Sequence, residues 1–150
     1  MLRIPDGQQL LFSVHAKGVQ IYEGMASAAD ASKLEWTLKD PEAVLFDGAG
    51  RKVGKHYAGP TWESVDGSKV VGKRLNAVDA NQAGDIPWLL LKADTTSGVG
   101  MMNGVSYILR VDTHDGAAPA KAPRSLGEMA RVKYKATYIF LTLAAGAAAP

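Results

Sequence analysis

The chain contains no cysteine among its 150 residues. Disulfides, thiolate metal ligands and cysteine nucleophiles are therefore excluded. It has no run of about 18 consecutive apolar residues, so no helical membrane span is predicted. Charge of one sign is scarce too. The 17 Lys and Arg stand against 15 Asp and Glu, a net of +2, and the two signs interleave along the chain. A nucleic-acid surface needs clustered basic side chains, so nucleic acid is not an expected partner. No Gly-x-Gly-x-x-Gly leads into a helix, and no βαβ alternation is present to hold a dinucleotide. No Gly-x-Ser-x-Gly elbow surrounds Ser64, Ser68 or Ser106, which argues against a serine triad. The opening Met1-Leu2-Arg3-Ile4-Pro5-Asp6 has no apolar leader segment. Either the protein stays in the cytosol, or a signal peptide has been removed and Met1 added.

What remains is ordinary globular material, 47% apolar and 21% charged, on the scale of one domain over 1–150. Its pattern is period two. Leu10, Phe12 and Val14 alternate with polar neighbours. After Ala16-Lys17-Gly18, Val19 and Ile21 do the same, so a hairpin is expected there. Leu34, Trp36 and Leu38 share one face of a strand, and Ala43–Phe46 forms another that ends in Asp47-Gly48-Ala49-Gly50. Arg51–Tyr57 returns as its partner. Gly59-Pro60 then bends the chain, because proline lacks the donor a central ladder needs. Asp66-Gly67 is a hairpin turn into Lys69–Ala77. Ile86–Ala93 is a buried strand that begins at or just after Pro87, and Thr95–Gly100 is a loop. Val105, Tyr107, Leu109 and Val111 alternate with Ser106, Ile108, Arg110 and Asp112. Val132, Tyr134, Ala136, Tyr138 and Phe140 mark a long last strand, with Lys133 and Lys135 as solvated charges on its other face. The small-residue stretch 143–150 reads as a flexible tail. The fold class is all-β: a single-domain antiparallel β-sandwich, Greek-key-like, or a flattened barrel, of about nine to eleven short strands.

The densest chemistry lies in His56–Ser68. His56, Glu63 and Asp66 are candidate catalytic groups, since an imidazole and a carboxylate within hydrogen-bond reach can share a proton. The competing reading is structural: His56 and Trp62 pack under the Gly-Pro bend, and Glu63 pairs with Lys55 or Lys69. Tyr57, Trp62 and Trp88 are the ligand-binding candidates, with Asp94 nearby if the strands pair as expected. Trp62 is read as partly exposed, Trp36 and Trp88 as core. His15, His56 and His114 all sit near strand ends, and copper or zinc is the ion such a set would take. They lack paired spacing, so no cofactor is predicted. Thr95–Gly100 lacks the lysine and helix of a phosphate-binding loop.

Several stretches together resemble one family. They are Ile4-Pro5-Asp6-Gly7-Gln8-Gln9, Gly18-Val19-Gln20-Ile21-Tyr22, His56–Glu63 followed by Asp66–Gly72, Ile86–Ala93, Tyr107–Thr113 and Tyr134–Phe140. Over 4–142 the chain resembles domain of unknown function 3455, a family of small, mostly secreted bacterial and fungal proteins. The resemblance implies a β-rich fold and a secreted or periplasmic location, and no established activity. Some fungal relatives carry a malate dehydrogenase label, to which this chain's lack of a dinucleotide motif gives no support. Relatives usually carry one cysteine just after the Gln-Ile-Tyr strand and another after the Arg-Val-x-Thr strand. This chain has Gly24 and the loop 117–122 in those regions. Three functions follow as expectations. The first is a binding or surface-associated module taking a small molecule or saccharide at His56–Asp66. The second is a metal-assisted or hydrolytic enzyme using His56 with Glu63 or Asp66. The third is self-assembly through strand edges, with a homo-oligomer as its product.

Overall fold

The computed structural model describes residues 2–80 and 82–146. Its strands are β1 (Gln8–Ala26), β2 (Leu34–Phe46), β3 (Lys52–Tyr57), β4 (Thr61–Ser64), β5 (Lys69–Val78), β6 (Trp88–Ser97), β7 (Tyr107–Asp115) and β8 (Met129–Leu143). A single 3-10 turn, Met101–Gly104, interrupts the β6–β7 connection. Every strand pairs antiparallel with the next, and β8 pairs back onto β1. The all-β expectation holds, in its barrel form. The order is up-and-down rather than Greek-key, and the strands number eight rather than nine to eleven.

The difference in number comes from two joins. Ala16-Lys17-Gly18 does not turn. It runs straight through β1, paired with Val44 and its neighbours on one side and with Tyr134–Ala136 on the other. Gly18 serves close approach: a Cβ there would lie 2.0 Å from the Glu42 carbonyl oxygen. Likewise Leu34–Leu38 and Ala43–Phe46 are one strand, despite Pro41. Proline is tolerated there because β3 pairs with β2 only from Ala43 onward, so Pro41 has a neighbour on one side only. Thr95–Ser97, expected in a loop, extend β6 against Lys69–Val71.

Inward positions build the core from Val14, Leu45, Val70, Leu91, Ile108 and Phe140, with Phe12 stacked on Phe140 at 4.7 Å. Burying each such side chain stabilises by about 1.5–3 kcal/mol. A second cluster of Leu90, Tyr107, Leu109 and Leu141 lies against Leu2, Val111 and Ile139. By strand parity it is on the outside of the barrel. One end of the barrel, called lower here, carries the β2–β3, β4–β5 and β6–β7 connections. It is plugged by Met102 and Val105, both buried in the main core. Asp66 ties the plug down by accepting from Ser68 N (2.9 Å), Ser68 Oγ (2.6 Å) and Met101 N (2.9 Å), while Ser68 Oγ accepts from Met102 N at 3.1 Å.

At the upper end, Gly24 meets the β7–β8 connection. Its N–H donates to the Glu128 carbonyl at 2.7 Å, and its own carbonyl accepts from Gly127 N at 2.8 Å. Trp36 Nε1 donates to the Lys121 carbonyl of the same connection at 2.8 Å. Leu143, expected in the tail, is the last residue of β8, and Ala144 N donates to Gly7 O at 2.7 Å. Residues 147–150 of that expectation lie outside the described residues, as does Met1. Among the described residues no helix is long and apolar enough to cross a membrane.

Candidate functional site

β3 and β4 are the shortest strands, and their connection at Ala58–Pro60 lies on the upper side. β2 below Ala43 in number and β5 beyond Gly72 both continue past it. The wall therefore has a notch above the β3–β4 hairpin, flanked by β2 and β5. A cavity of about 280 Å³ opens there, bounded by Leu38 and Asp40 of β2, Pro60 of the hairpin and Arg74 of β5. Its volume is at the small end for ligand pockets, roughly 300 Å³ and upward. Its inner lining comes from β1, β3, β4, β6, β7 and β8.

His56 and Trp62 are register partners on β3 and β4, both facing inward. Their rings stack at 4.5 Å and 19°. The indole lies across β5, where Gly72 leaves room for it: a Cβ at Gly72 would stand 2.8 Å from the ring. His56 Nδ1 is 2.8 Å from the Thr61 carbonyl oxygen. A carbonyl can only accept, so Nδ1 carries the hydrogen and Nε2 carries the lone pair. Burial above all, opposed by the Thr61 hydrogen bond and aided by the charge of Arg110, drives the His56 pKa down to about 3. The imidazole is neutral at any physiological pH. It accepts a hydrogen bond well and is a poor general base.

Around this pair the barrel interior is polar. Arg110, buried on β7 between Leu89 and Tyr138, donates from Nε to the Pro87 carbonyl at 3.0 Å. Tyr134 and Tyr138 share a hydrogen bond at 3.2 Å, and burial raises both phenol pKa values. Two residues that line the cavity each carry a fully buried polar atom with no partner among the described residues, Gln20 Oε1 and Trp62 Nε1. Leaving a buried donor or acceptor unpaired costs about 1–3 kcal/mol each. One is an acceptor and the other a donor, and a bound molecule could satisfy both.

The expected site residues fall in several places. His56 does not meet Glu63 or Asp66. Alternation puts Glu63 on the outside of β4, where it accepts from Tyr57 Oη at 2.6 Å and stands 3.9 Å from Lys55 Nζ. The Tyr57 bond, then the Lys55 and Lys69 charges, hold the Glu63 carboxyl below its usual pKa. Asp66 is in the lower plug, with its pKa lowered to about 2 by Ser68 and the Met101 N–H. Tyr57 is outward as well, with Lys55 over its ring. The tryptophan expectations invert. Trp62 is 1% exposed, whereas Trp88 is 38% exposed beside Leu2 and Ile4 on the outer wall. Asp94 faces solvent. The three histidines do not converge. His15 and His114 are exposed and flank one outer groove, with His114 Nε2 at 3.4 Å from Asp112, while His56 is inside. Among the described residues no group of three His, Cys, Asp or Glu is placed to hold a metal ion. Ser64 and Ser68 are buried near the plug, and Ser106 bonds Gln8 and the Leu141 carbonyl.

Gln20 and Arg110 are cavity-lining residues that the motif reading passed over. Their signal was parity. Gln20 falls in step with Val14 and Ala16, and Arg110 in step with Ile108, all inward-facing.

The sequence model of the family described as "Protein of unknown function (DUF3455)" matches residues 5–142, nearly the whole chain. The chain belongs to that family. No curated protein matches it, and no solved structure does.

Proposed function

We propose that this member of the DUF3455 family binds a small organic molecule in the cavity beside the β3–β4 notch and does not turn it over by His56 acid–base chemistry. The observation that carries the reading is the pair of unpartnered, fully buried polar atoms in two residues that line the cavity, Gln20 Oε1 and Trp62 Nε1. Native interiors rarely leave such groups unpaired, and a ligand that accepts from one and donates to the other accounts for both. His56 Nε2 adds an acceptor. A hydrolytic role through His56 with Glu63 or Asp66 loses its premise, because those carboxylates are committed elsewhere. A saccharide stacked on Trp62 is disfavoured, since His56 already covers a face of the indole. Edge-to-edge assembly is disfavoured too, because closure leaves Leu34–Glu42 of β2 as the principal free edge. The secreted or periplasmic location implied by family resemblance belongs to the same proposal, and fractionation of a native host checks it.

The test is a fragment screen followed by the Trp62 indole N–H resonance in two-dimensional NMR, assigned with Trp62→Phe. We expect at least one small molecule to shift that resonance saturably while the Trp36 and Trp88 indoles stay still. A screen whose binders move only Trp36 or Trp88 would place any ligand on the outer wall and end the reading.

A further inference from the structure

Arg110 is 92% buried by complement of its 8% exposure, yet no carboxylate stands within ion-pair distance of it among the described residues. Its one side-chain hydrogen bond to the protein main chain is from Nε to Pro87 O. That bond fixes the guanidinium plane without neutralising it. Burying a cation unpaired is expensive, and folds retain one where something arrives to pair with it. The groups nearest to it cannot play that part. His56 is neutral, and the Tyr134 and Tyr138 phenols stay protonated. Around the cavity a smaller imbalance persists: Lys39 is paired with Glu23 at 3.7 Å, which leaves Arg74 and Arg110 against the carboxylate of Asp40. Asp40 is on β2 at the notch and makes no ion pair with Arg110 among the described residues.

We infer that the cavity's ligand is a small organic carboxylate, held with its anionic end at the Arg110 guanidinium and its apolar body against Leu89, Leu91 and Pro60. The inference rests on the binding function proposed above and names its ligand class. A guanidinium presents a planar fork that fits a carboxylate with two parallel N–H···O bonds. The unpartnered N–H of Trp62, another lining residue, is a further donor close by. Leu38, Pro41, Pro60, Leu89 and Leu91 supply apolar wall beside the polar groups, which suits a short acyl or aryl chain better than a fully hydrated inorganic anion. Gln20 Oε1 and His56 Nε2 would accept from a hydroxyl on that chain.

The experiment titrates benzoate, hexanoate and cinnamate, their primary amides, and inorganic phosphate into the wild-type protein, Arg110→Met and Arg110→Lys. Binding is read at the Trp62 indole N–H, and the variants' folding is checked by their amide NMR spectra. The expected result is saturable carboxylate binding at least tenfold tighter than that of the matching amide, with phosphate weaker than both. Arg110→Met should lose tenfold or more for the carboxylate and leave the amide unchanged. Arg110→Lys, which keeps the charge without the fork, should fall between and stands in if Arg110→Met does not fold. Amides that bind as tightly as carboxylates would overturn the ligand class while leaving the binding cavity in place. Phosphate binding tighter than the carboxylates would overturn it in favour of an inorganic anion. If no probe of any class reaches the Trp62 resonance, the ligand class and the binding function fall together.

Discussion

The two ends of this barrel are built on opposite terms. At the lower end Met102 and Val105 fill the interior, and Asp66, Ser68 and the 101–104 turn form a closed set of hydrogen bonds over them. Gln8 Nε2, at the start of β1, is the exception to that satisfaction. At the upper end the interior holds an amide, an imidazole, a guanidinium and two phenols, with donors and acceptors left over. β3 and β4 stop short of the upper rim while β2 and β5 continue, which opens the notch but does not make the interior there polar. The difference lies in what the inward positions carry. One end is optimised for holding the chain together. The other keeps polar groups under apolar cover at a cost to stability, as binding sites commonly do.

Three measurements would break or sharpen that contrast. The largest effect is expected at the lower end. Met102→Ala should lower unfolding free energy by about 2–5 kcal/mol, because a truncated core side chain leaves a cavity. Denaturant melts check it, and ligand-induced shifts of the Trp62 resonance should survive the substitution.

The next effect is acid sensitivity at the upper end. The His56 pKa falls from 6.5 to about 3 on folding, with burial the main cause and Arg110 adding to it. The unfolded chain therefore binds a proton that the folded one refuses. The contribution of His56 to stability is complete above about pH 6.5 and is lost as pH falls toward 3. One such proton gives a slope of about 1.4 kcal/mol per pH unit. Between pH 6.5 and 5 that is roughly 2 kcal/mol, and His56→Leu should flatten this limb in urea melts repeated across pH. An unchanged limb in the variant would mean that other groups set the acid sensitivity.

The smallest effect should have the opposite sign. Gln20→Leu removes the unpartnered Oε1 and keeps most of the volume. It should raise stability by up to about 1 kcal/mol, the reverse of what core substitutions usually do. A thermal melt decides the sign. Destabilisation would show that Gln20 already has a satisfied role in the unliganded protein.

The sequence made the fold class readable, because alternation in β8 and around the Asp66-Gly67 turn reflects local geometry. It hid the continuity of β1, since Ala16-Lys17-Gly18 resembles a turn when only the chain is in view. Gly18 is small because Glu42 crosses close by, and that reason lies across the sheet. The tryptophans inverted for a related cause. Trp62 stands in a short polar stretch, yet its partner His56 and the bare Gly72 let the indole in. Trp88 opens a continuous apolar run, whose outward members pack under the N-terminal segment on the outer wall. In β7 the more apolar set, Tyr107, Leu109 and Val111, belongs to that outer cluster. Arg110 therefore takes the inward parity that a reading by hydrophobicity assigns to solvent. His56 and Trp62 were legible as candidates, but the carboxylate partners were not. Proximity in sequence on adjacent strands says little about which face a side chain takes.

The short β3–β4 hairpin has one more consequence. Its length sets the height of the sill over which a ligand must pass, and it does so independently of the rest of the cylinder. One residue inserted into each arm below His56 and Trp62 raises the sill by about 3.4 Å but turns both rings outward. Two per arm restore their inward aim. For insertions at that level, aperture therefore changes in two-residue steps over an unchanged floor.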